Sequence, residues 1–269
     1  MTIPALANLD SPFTGHPAPD AQRDICGVNV TAMTGLEAVE ALAQRLDQRV
    51  YTPVGFVNAH CVNIAAHNAE YRTAIADFML LPDGIGIDIG SRLLFGQAFP
   101  ENLNGTDFVP FLLASLTRPV RVALIGSAEG IAERAAAAFA RDNPRHSFVP
   151  IASGYFAEGS ETDDILARLK AARVDIVLVA LGVPRQEMFI ARHIGPQHAV
   201  LAIAVGALLD FMAGKVPRAP PIVRRLRLEW AYRLAVEPRR LWRRYVIGNP
   251  RFMLHVVAER RRRGRDVRL

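Results

Sequence analysis

The side chain with the clearest chemical use stands where an apolar run of the sequence stops. Residues 79–81 read as a buried strand, and the run ends on Asp83 inside a Pro-Asp-Gly turn. Ligands of open parallel α/β sheets bind beyond the carboxyl ends of the strands, so a carboxylate at this position would meet a substrate and could act as a general base. Pro-Asp-Gly is also a favoured turn sequence, so Asp83 could serve the turn alone.

A second apolar run, residues 53–57, also ends on polar residues, Asn58 and His60. Both side chains could face the crevice beside Asp83, or could cap the helix predicted after them. The third and strongest run, residues 175–181, is apolar on both faces, as an interior parallel strand should be. It leads into Gly182-Val-Pro-Arg-Gln-Glu187, where a proline suited to the first turn of a helix would place Gln186 and Glu187 beside the same crevice.

Two glycine-containing loops are weaker indications of a ligand-binding site. Residues 120–125 read as a strand that enters Gly126-Ser-Ala-Glu-Gly130, and glycines at such a turn let backbone N–H groups approach an anion. The Gly-x-Gly-x-x-Gly fingerprint of dinucleotide sites is absent. In the loop of residues 96–106, Asp107 follows Asn104-Gly-Thr and fits either a ligand site or a helix amino cap.

The elements around these residues alternate between short apolar runs and segments with helical periodicity. Residues 25–30 and 199–205 complete the set of predicted strands, and residues 35–49 and 61–78 are among the predicted helices. This alternation predicts an α/β fold with a doubly wound, Rossmann-like, mostly parallel sheet. We expect a flexible lead-in over residues 1–22, a core over 23–214, and a basic helical appendage over 215–269.

The charge of the chain is unevenly distributed. Residues 215–269 hold 17 Lys and Arg against 4 Asp and Glu, a net +13, which leaves −7 for residues 1–214 of the total +6. A basic segment of this kind is typical of binding to phosphate, nucleic acid or anionic lipid. Apolar residues recur every fourth position from Ile222 to Leu234, with Trp230 among them, so the appendage is amphipathic rather than only solvated.

Composition excludes several classes of protein. At 269 residues and 51% apolar content the chain can bury a substantial core, and it is not a disordered protein. Two unpaired cysteines, Cys26 and Cys61, argue against a disulfide framework or a zinc site. No apolar run reaches the roughly 18 residues of a membrane-spanning helix. We therefore expect a cytoplasmic protein, free in solution or on a membrane surface.

Taken together, the motifs resemble the bacterial WecG/TagA/CpsF family, glycosyltransferase family 26. The resemblance spans roughly residues 25–245 and depends on several motifs in the family's order. They are Leu81-Pro-Asp-Gly-Ile-Gly, Asn104-Gly-Thr-Asp107, Leu124-Ile-Gly126, Gly154-Tyr-Phe, Leu181-Gly-Val-Pro-Arg-Gln-Glu, Gly214-Lys-Val-Pro-Arg-Ala-Pro, Leu228-Glu-Trp-Ala-Tyr-Arg-Leu and Glu237-Pro-Arg-Arg240.

The resemblance implies transfer of a sugar from a UDP-sugar to a lipid-linked saccharide at the inner face of the cell membrane, with inversion and without a metal or other cofactor. It implies that Asp83 is the general base and that Gln186 belongs to the catalytic set. The substrate-binding residues that it implies are Asn58, Gly84, Gly105, Asp107, Gly126, Tyr155, Gly182, Glu187, Arg218, Arg233, Arg240 and Arg243. The chemistry agrees, because inversion requires a base for the acceptor hydroxyl and stabilisation of the departing diphosphate. No Asp-x-Asp metal motif is present, so arginines would supply that stabilisation.

Two positions depart from the family pattern and leave the donor sugar open. The chain has Glu101-Asn-Leu-Asn-Gly105 where the family usually has an arginine, and Phe56 where it usually has a threonine. The Leu-Asn-Gly-Thr-Asp variant resembles the xanthan-type glucosyltransferase branch of exopolysaccharide synthesis. Glucose, N-acetylmannosamine and its uronic acid all remain candidate donor sugars, and a homo-oligomer is possible.

Two other classes of function are compatible with the sequence. A nucleotide-binding α/β module that lacks catalysis could act as a regulator or assembly partner, but the retention of Asp83 argues against it. A nucleic-acid-binding protein would explain the basic appendage, but the net −7 of the preceding residues would repel a duplex. We expect no nucleic-acid partner.

Overall fold

The computed structural model describes residues 22–216, 219–220, 223 and 229–266; within them, the side chains of residues 229, 233, 240 and 266 are not described. The predicted lead-in therefore lies outside the described residues, apart from Gln22.

The strands are β1 Gln22–Asp24, β2 Asn29–Thr31, β3 Thr52–Val57, β4 Met79–Pro82, β5 Arg121–Gly126, β6 Ser147–Ala152, β7 Ile176–Ala180 and β8 Leu201–Ala204. The first nine helices are α1 Gly35–Gln48, α2 Ala59–Ala65, α3 Ala69–Ala74, α4 Ile85–Phe95, α5 Gly105–Ser115, α6 Ile131–Asp142, α7 Ser160–Ala172, α8 Arg185–His193 and α9 Leu208–Met212. The C-terminal part contains α10 Glu229–Val236, α11 Pro238–Trp242, a π-helical turn Arg243–Ile247 and α12 Gly248–Asp266.

Six strands form one parallel sheet in the order β4-β3-β8-β7-β5-β6, which confirms the predicted doubly wound α/β fold. Every residue of β7 and β8 is buried, because both strands lie inside the sheet and are covered on both faces. The carboxyl ends of β3, β4, β5, β7 and β8 consequently meet along one edge of the sheet.

Helices cover the two faces of the sheet and form two apolar clusters. One cluster packs α1, α5, α6 and α9 against the first face. The other packs α2, α3, α7, α8 and α12 against the second face. Each helix buries its apolar stripe and leaves its polar side in solvent, which is the arrangement that stabilises layered α/β domains.

Two predicted elements differ from the structure. The apolar run of residues 25–30 is part of an antiparallel hairpin, β1–β2, because Cys26 and Gly27 take positive φ angles of 54° and 86° and turn the chain. The predicted helix of residues 61–78 is divided into α2 and α3. The side chain of Asn68 accepts a hydrogen bond from the backbone N–H of Tyr71 at 2.9 Å, which starts the second helix anew.

The C-terminal helix α12 packs into the second cluster. Phe252 and Val256 are fully buried against α2 and α4. A Cβ atom on Gly90 of α4 would come within 2.9 Å of the Phe252 ring, so the two helices approach closely at this glycine. The proposed boundary at residue 215 stays a prediction, but α12 shares its packing with the core. Within the described residues, none of the helices combines the length and the apolar character needed to cross a membrane.

Candidate active site

A cleft of about 690 Å³ opens at the edge of the sheet where the strand ends meet. Its walls come from the residues that follow β3, β4, β5, β7 and β8, and from the C-terminal helices. Parallel α/β sheets bind ligands at this edge. The cleft brings together most of the residues predicted for the site, namely Asn58, Asp83, Gly84, Gly105, Asp107, Tyr155, Gly182 and Gln186.

Asp83 is held at the end of β4 by contacts with the neighbouring strand end. Its backbone N–H donates to the carbonyl oxygen of Val57 at 2.8 Å, and its Oδ2 accepts a hydrogen bond from Nδ2 of Asn58 at 3.1 Å. The following residue, Gly84, has a φ of 89° and donates its N–H to Oδ1 of Asn102 at 2.6 Å. The carboxylate is thus oriented across two strands and lines the cleft, in addition to any part it takes in the turn.

Asn58 both caps helix α2 and contacts Asp83 in the cleft, the two roles that the sequence offered as alternatives. Its Oδ1 accepts hydrogen bonds from the backbone N–H groups of His60 and Cys61, at 3.1 and 3.4 Å, which caps α2. Its amide nitrogen is the donor to Asp83. One amide side chain can do both because it carries an acceptor and a donor.

His60 also lines the cleft, beside Asn58. Burial and the positive charge of Arg244 lower the pKa of His60 to about 4. The imidazole is therefore neutral near pH 7 and adds no positive charge to the cleft.

The loop before α5 forms the wall beside Asp83. Asn104 caps α5: its Oδ1 accepts from the backbone N–H of Asp107 at 3.0 Å, and its Nδ2 donates to the Asp107 carboxylate at 2.8 Å. Asp107 therefore lies in the first turn of the helix and is not its amino cap. Gly105 packs against Phe56, and a Cβ at residue 105 would lie 2.8 Å from the Phe56 ring.

Gln186 joins the ends of β7 and β8. Its Oε1 accepts hydrogen bonds from the backbone N–H groups of Gly182, at 3.2 Å, and Gly206, at 3.0 Å. Its Nε2 donates to Oε1 of Glu187 at 2.8 Å. With 3% of its surface exposed, Gln186 fixes two cleft-lining turns and also reaches the cleft itself.

Glu187 lies behind the cleft wall with 2% of its surface exposed. Burial raises the pKa of its carboxyl group to about 7, against the opposing effects of the Gln186 hydrogen bond and the charge of Arg244. Its second carboxylate oxygen has no hydrogen-bond partner among the described residues. Glu187 is not among the residues that line the cleft.

The turn after β5 places a polar group that the sequence did not single out. Gly126 has a φ of 126°, and a Cβ there would lie 2.4 Å from the carbonyl oxygen of Ala180. Gly126 does not line the cleft, but its close approach to β7 presents Ser127, whose Oγ donates to Oδ1 of Asp210 at 2.6 Å. The same carboxylate oxygen lies 3.2 Å from Nζ of Lys215. No motif links these three positions, which are separated by up to 88 residues in the sequence.

Tyr155 stands at the opening of the cleft with 81% of its surface exposed. The preceding Gly154 donates its N–H to the carbonyl oxygen of Ser127 at 2.7 Å, which attaches this loop to the turn after β5. A large, exposed aromatic ring at a cleft opening is available for contact with a ligand.

Of the four predicted arginines, the structure describes the side chain of Arg243. Arg218 lies outside the described residues, and Arg233 and Arg240 occupy α10 and α11 with side chains that are not described. Arg243 is exposed, with its guanidinium 5.5 Å from the ring centre of Trp242, and does not line the cleft. Arg244, which we did not predict, does line it. No local pattern marked it, because Arg243 and Arg244 are adjacent arginines of one helical segment.

Within the described part of the chain, no group of three or more His, Cys, Asp or Glu side chains is arranged to hold a metal ion. The cleft carboxylates of Asp83, Asp107 and Asp210 are instead engaged with amides, a hydroxyl and a lysine. Any positive charge from the described cleft residues therefore comes from Lys215 and Arg244.

Comparison with known proteins agrees with this arrangement. Residues 23–266 match the family described as the glycosyl transferase WecG/TagA/CpsF family. The chain is 35% identical over 202 residues to the N-acetylglucosaminyldiphosphoundecaprenol N-acetyl-beta-D-mannosaminyltransferase of Bacillus spizizenii, covering 73% of this chain and 75% of that protein. It is 30% identical over 218 residues to the Bacillus subtilis protein of the same name, covering 80% and 82%. A Staphylococcus aureus protein of that name is 28% identical over 246 residues, covering 90% and 94%. The chain belongs to the WecG/TagA/CpsF family and is a glycosyltransferase.

Proposed function

We propose that this glycosyltransferase moves a hexose from a UDP-sugar to a polyprenyl-diphosphate-linked saccharide, with inversion and without a metal ion. The observation that carries the proposal is the Asp83–Asn58 pair at the strand ends, where an oriented carboxylate faces an open cleft. The names of the relatives support a lipid-linked acceptor, because they describe transfer to N-acetylglucosaminyldiphosphoundecaprenol.

In this proposal Asp83 takes the proton from the acceptor hydroxyl as that oxygen attacks the anomeric carbon of the donor. Asn58 holds the carboxylate in position through the hydrogen bond to Oδ2, which leaves Oδ1 for the hydroxyl. The bond from the anomeric carbon to the diphosphate oxygen breaks on the opposite face, and UDP leaves with the bonding electrons. Arginine guanidinium groups from the C-terminal part would stabilise the charge on the leaving group. Arg233 and Arg240 stay candidates for this contact, whereas Arg243 does not line the cleft.

In this proposal Gln186 would shape the part of the cleft that receives the donor. Its two hydrogen bonds from Gly182 and Gly206 shape the turns at which the donor would lie. The Asp107 carboxylate and the Asn102 amide line the same cleft as Asp83 and could accept hydrogen bonds from sugar hydroxyls. Phe56 adds an apolar surface to the same wall, in place of the threonine usual in the family.

The proposal leaves the identity of the hexose open between three sugars. The relatives are named as N-acetylmannosaminyltransferases, whereas the Leu103-Asn-Gly-Thr-Asp107 variant resembles the xanthan-type glucosyltransferase branch of exopolysaccharide synthesis. Glucose and N-acetylmannosamine are therefore the first donors to compare, with the uronic acid third. We place the reaction at the cytoplasmic face of the cell membrane, where a peripheral protein would meet a polyprenyl-linked acceptor.

The test is a turnover assay with the purified full-length chain. UDP release and glycolipid formation would be measured with UDP-glucose, UDP-N-acetylmannosamine and its uronic acid, each with polyprenyl-diphosphate-linked N-acetylglucosamine or glucose. We expect turnover with one donor and acceptor pair, loss of turnover in Asp83→Asn, and no loss on addition of EDTA. A chain that binds UDP but transfers no sugar from any donor would favour a non-catalytic module, and activity restored only by Mn²⁺ would contradict the metal-free mechanism.

A further inference from the structure

Two adjacent arginines in the π-helical turn have different surroundings. Arg243 is exposed and stacks on Trp242, whereas Arg244 is half-buried, lines the cleft and lies 5.7 Å from the ring centre of Tyr245. Tyr245 in turn packs against Trp230, at 5.8 Å between ring centres, and both rings line the cleft. The side chain of Arg244 is thus bounded by an aromatic wall and is aimed toward the strand ends.

The backbone of this segment fixes that direction. A π-helical turn is wider than an α-helical turn and is frequently found at functional sites. Here the N–H of Gly248 donates to the carbonyl oxygens of Arg243 and Tyr245, which closes the turn. The carbonyl oxygen of Gly248 accepts a hydrogen bond from Nδ2 of Asn63 at 2.7 Å. Asn63 belongs to α2, the helix that Asn58 caps, so the turn is attached to the same element as the Asp83–Asn58 pair.

The charge of Arg244 acts within the site. It lowers the pKa of His60 and opposes the burial that raises the pKa of Glu187, so its positive potential reaches both the surface of the cleft and the wall behind it. Lys215, the other cation of the described cleft, is paired with Asp210 at 3.2 Å. Among the described carboxylates, none lies within ion-pair distance of Arg244. A half-buried guanidinium without such a partner is suited to an anionic ligand.

We propose that Arg244 binds the diphosphate of the UDP-sugar donor, and that the π-helical turn presents this residue to the cleft while directing Arg243 away from it. The inference rests on the proposed function, because it assigns a contact to the donor of that reaction. A guanidinium group donates two parallel hydrogen bonds to phosphate oxygens. These bonds strengthen as the anomeric bond breaks and negative charge moves to the leaving UDP, so Arg244 would contribute to binding and to the rate.

The experiment compares variants at three arginines, Arg239, Arg243 and Arg244, in the full-length protein. Calorimetry would give the dissociation constants of UDP and uridine, and the turnover assay would give kcat and KM. We expect Arg244→Met to weaken UDP binding by about 10- to 100-fold, the range for a hydrogen bond to a charged group, with uridine affinity unchanged. Arg244→Lys should recover part of the loss. Arg239→Met removes one charge from an exposed position of α11 and serves as the control with unchanged UDP affinity.

The comparison with Arg243→Met decides the assignment. A smaller loss of UDP affinity and kcat in Arg243→Met than in Arg244→Met supports the proposal. An equal or larger loss in Arg243→Met, or wild-type UDP affinity in a folded Arg244→Met, overturns it. If the wild-type chain binds UDP tightly but transfers no sugar, the proposed reaction fails while the diphosphate contact can still be measured, so the two failures are distinguishable.

Discussion

Asp83 receives its orientation from a residue on another strand end, and this bears on how it would act as a base. Asn58 donates to one carboxylate oxygen and so holds the side chain in one orientation. The side chain is half-buried and lines the cleft, so it can reach a hydroxyl of a ligand bound there. Orientation by a neutral amide keeps the negative charge of the pair on Asp83 alone.

The first prediction concerns this carboxylate. Asp83→Asn preserves the size of the side chain and its capacity to form turns but removes its basicity. We expect kcat to fall by about 10²-fold or more, the usual contribution of a general base, with UDP affinity nearly unchanged. The measurements are steady-state kinetics and calorimetry. If the variant turned over substrate at the wild-type rate, another group would have to accept the proton.

The second prediction concerns the buried carboxyl group of Glu187. Its folded-state pKa of about 7 is above the ordinary value of 4.5, so the folded state binds its proton more tightly than the unfolded state. The contribution of this proton to the free energy of unfolding is complete below about pH 4.5. It is lost as the pH rises toward 7, which lowers the free energy of unfolding by an amount on the order of 3 kcal/mol. We expect Glu187→Gln, which cannot ionise, to remove this loss.

Urea unfolding at several pH values would measure this effect. The free energy of unfolding of Glu187→Gln minus that of wild type should increase between pH 4.5 and pH 7 and then level off. Glu40→Gln, a change at an exposed position of α1, provides the matched control and should show no such increase. A difference for Glu187→Gln that is flat across this range would mean that the carboxyl group ionises normally.

The single residues that the sequence revealed are those that follow apolar strands. Asn58 and Asp83 stand within two residues of such runs, Gln186 lies in the turn and helix that follow another, and the parallel sheet brings those ends together. Asp210 and Arg244 were missed because no motif marks them and each acquires its position from contacts distant in the chain. Glu187 was expected in the site but lies behind its wall, since adjacent residues of a helix point in different directions.

Helix α12 packs against the core and lies near the candidate active site. Its buried face and its exposed face can be tested separately. Phe252 is 1% exposed between α2 and α4, whereas Leu254 on the same helix is 70% exposed. We expect Phe252→Ala to lower the free energy of unfolding by about 3–5 kcal/mol, the range for a large buried aromatic side chain. Leu254→Ala is the control and should remain within about 0.5 kcal/mol of wild type. Chemical denaturation measures both, and two equally small effects would show that α12 is not docked in solution.

At the level of elements, periodicity predicted the sheet better than it predicted the turns. Five of the six strands of the sheet, all except β6, are short apolar runs, so their existence followed from the pattern of apolar residues. The hairpin at Cys26 depends on a positive φ angle in a residue other than glycine, which no local pattern indicated. The π-helical turn was likewise missed, because residues 243–247 have an ordinary helical sequence and the extra width is maintained by contacts with α2.

The surface of the whole molecule has exposed apolar side chains concentrated near its C-terminal end. Trp242, Val246, Ile247 and Leu254 are exposed among arginines of the same segment. This combination supports the proposed contact with an anionic membrane surface. Not every arginine is available for that contact, because Arg263 bonds to Glu259 and to the backbone of Asp24.

The fourth prediction separates these arginines. Arg260 and Arg261 are exposed, and neutralising both with Gln should weaken binding to vesicles of anionic lipid by about 1 kcal/mol per charge. Arg168→Gln, on an exposed face of α7, is the single-charge control and should bind normally. Sedimentation with anionic and zwitterionic vesicles measures the effect. Unchanged binding of the double variant would leave the exposed apolar side chains as the membrane contact.

The contact between Phe56 and Gly105 restricts the order in which the sequence of this enzyme can change during evolution. While phenylalanine occupies residue 56, even an alanine at residue 105 would place its Cβ 2.8 Å from the ring, and crowding of that kind in a packed wall is destabilising. A smaller side chain at residue 56 would remove the obstacle. A lineage that exchanges both residues must therefore shorten residue 56 first, and a lineage that keeps the phenylalanine must also retain glycine at residue 105, whatever sugar it transfers.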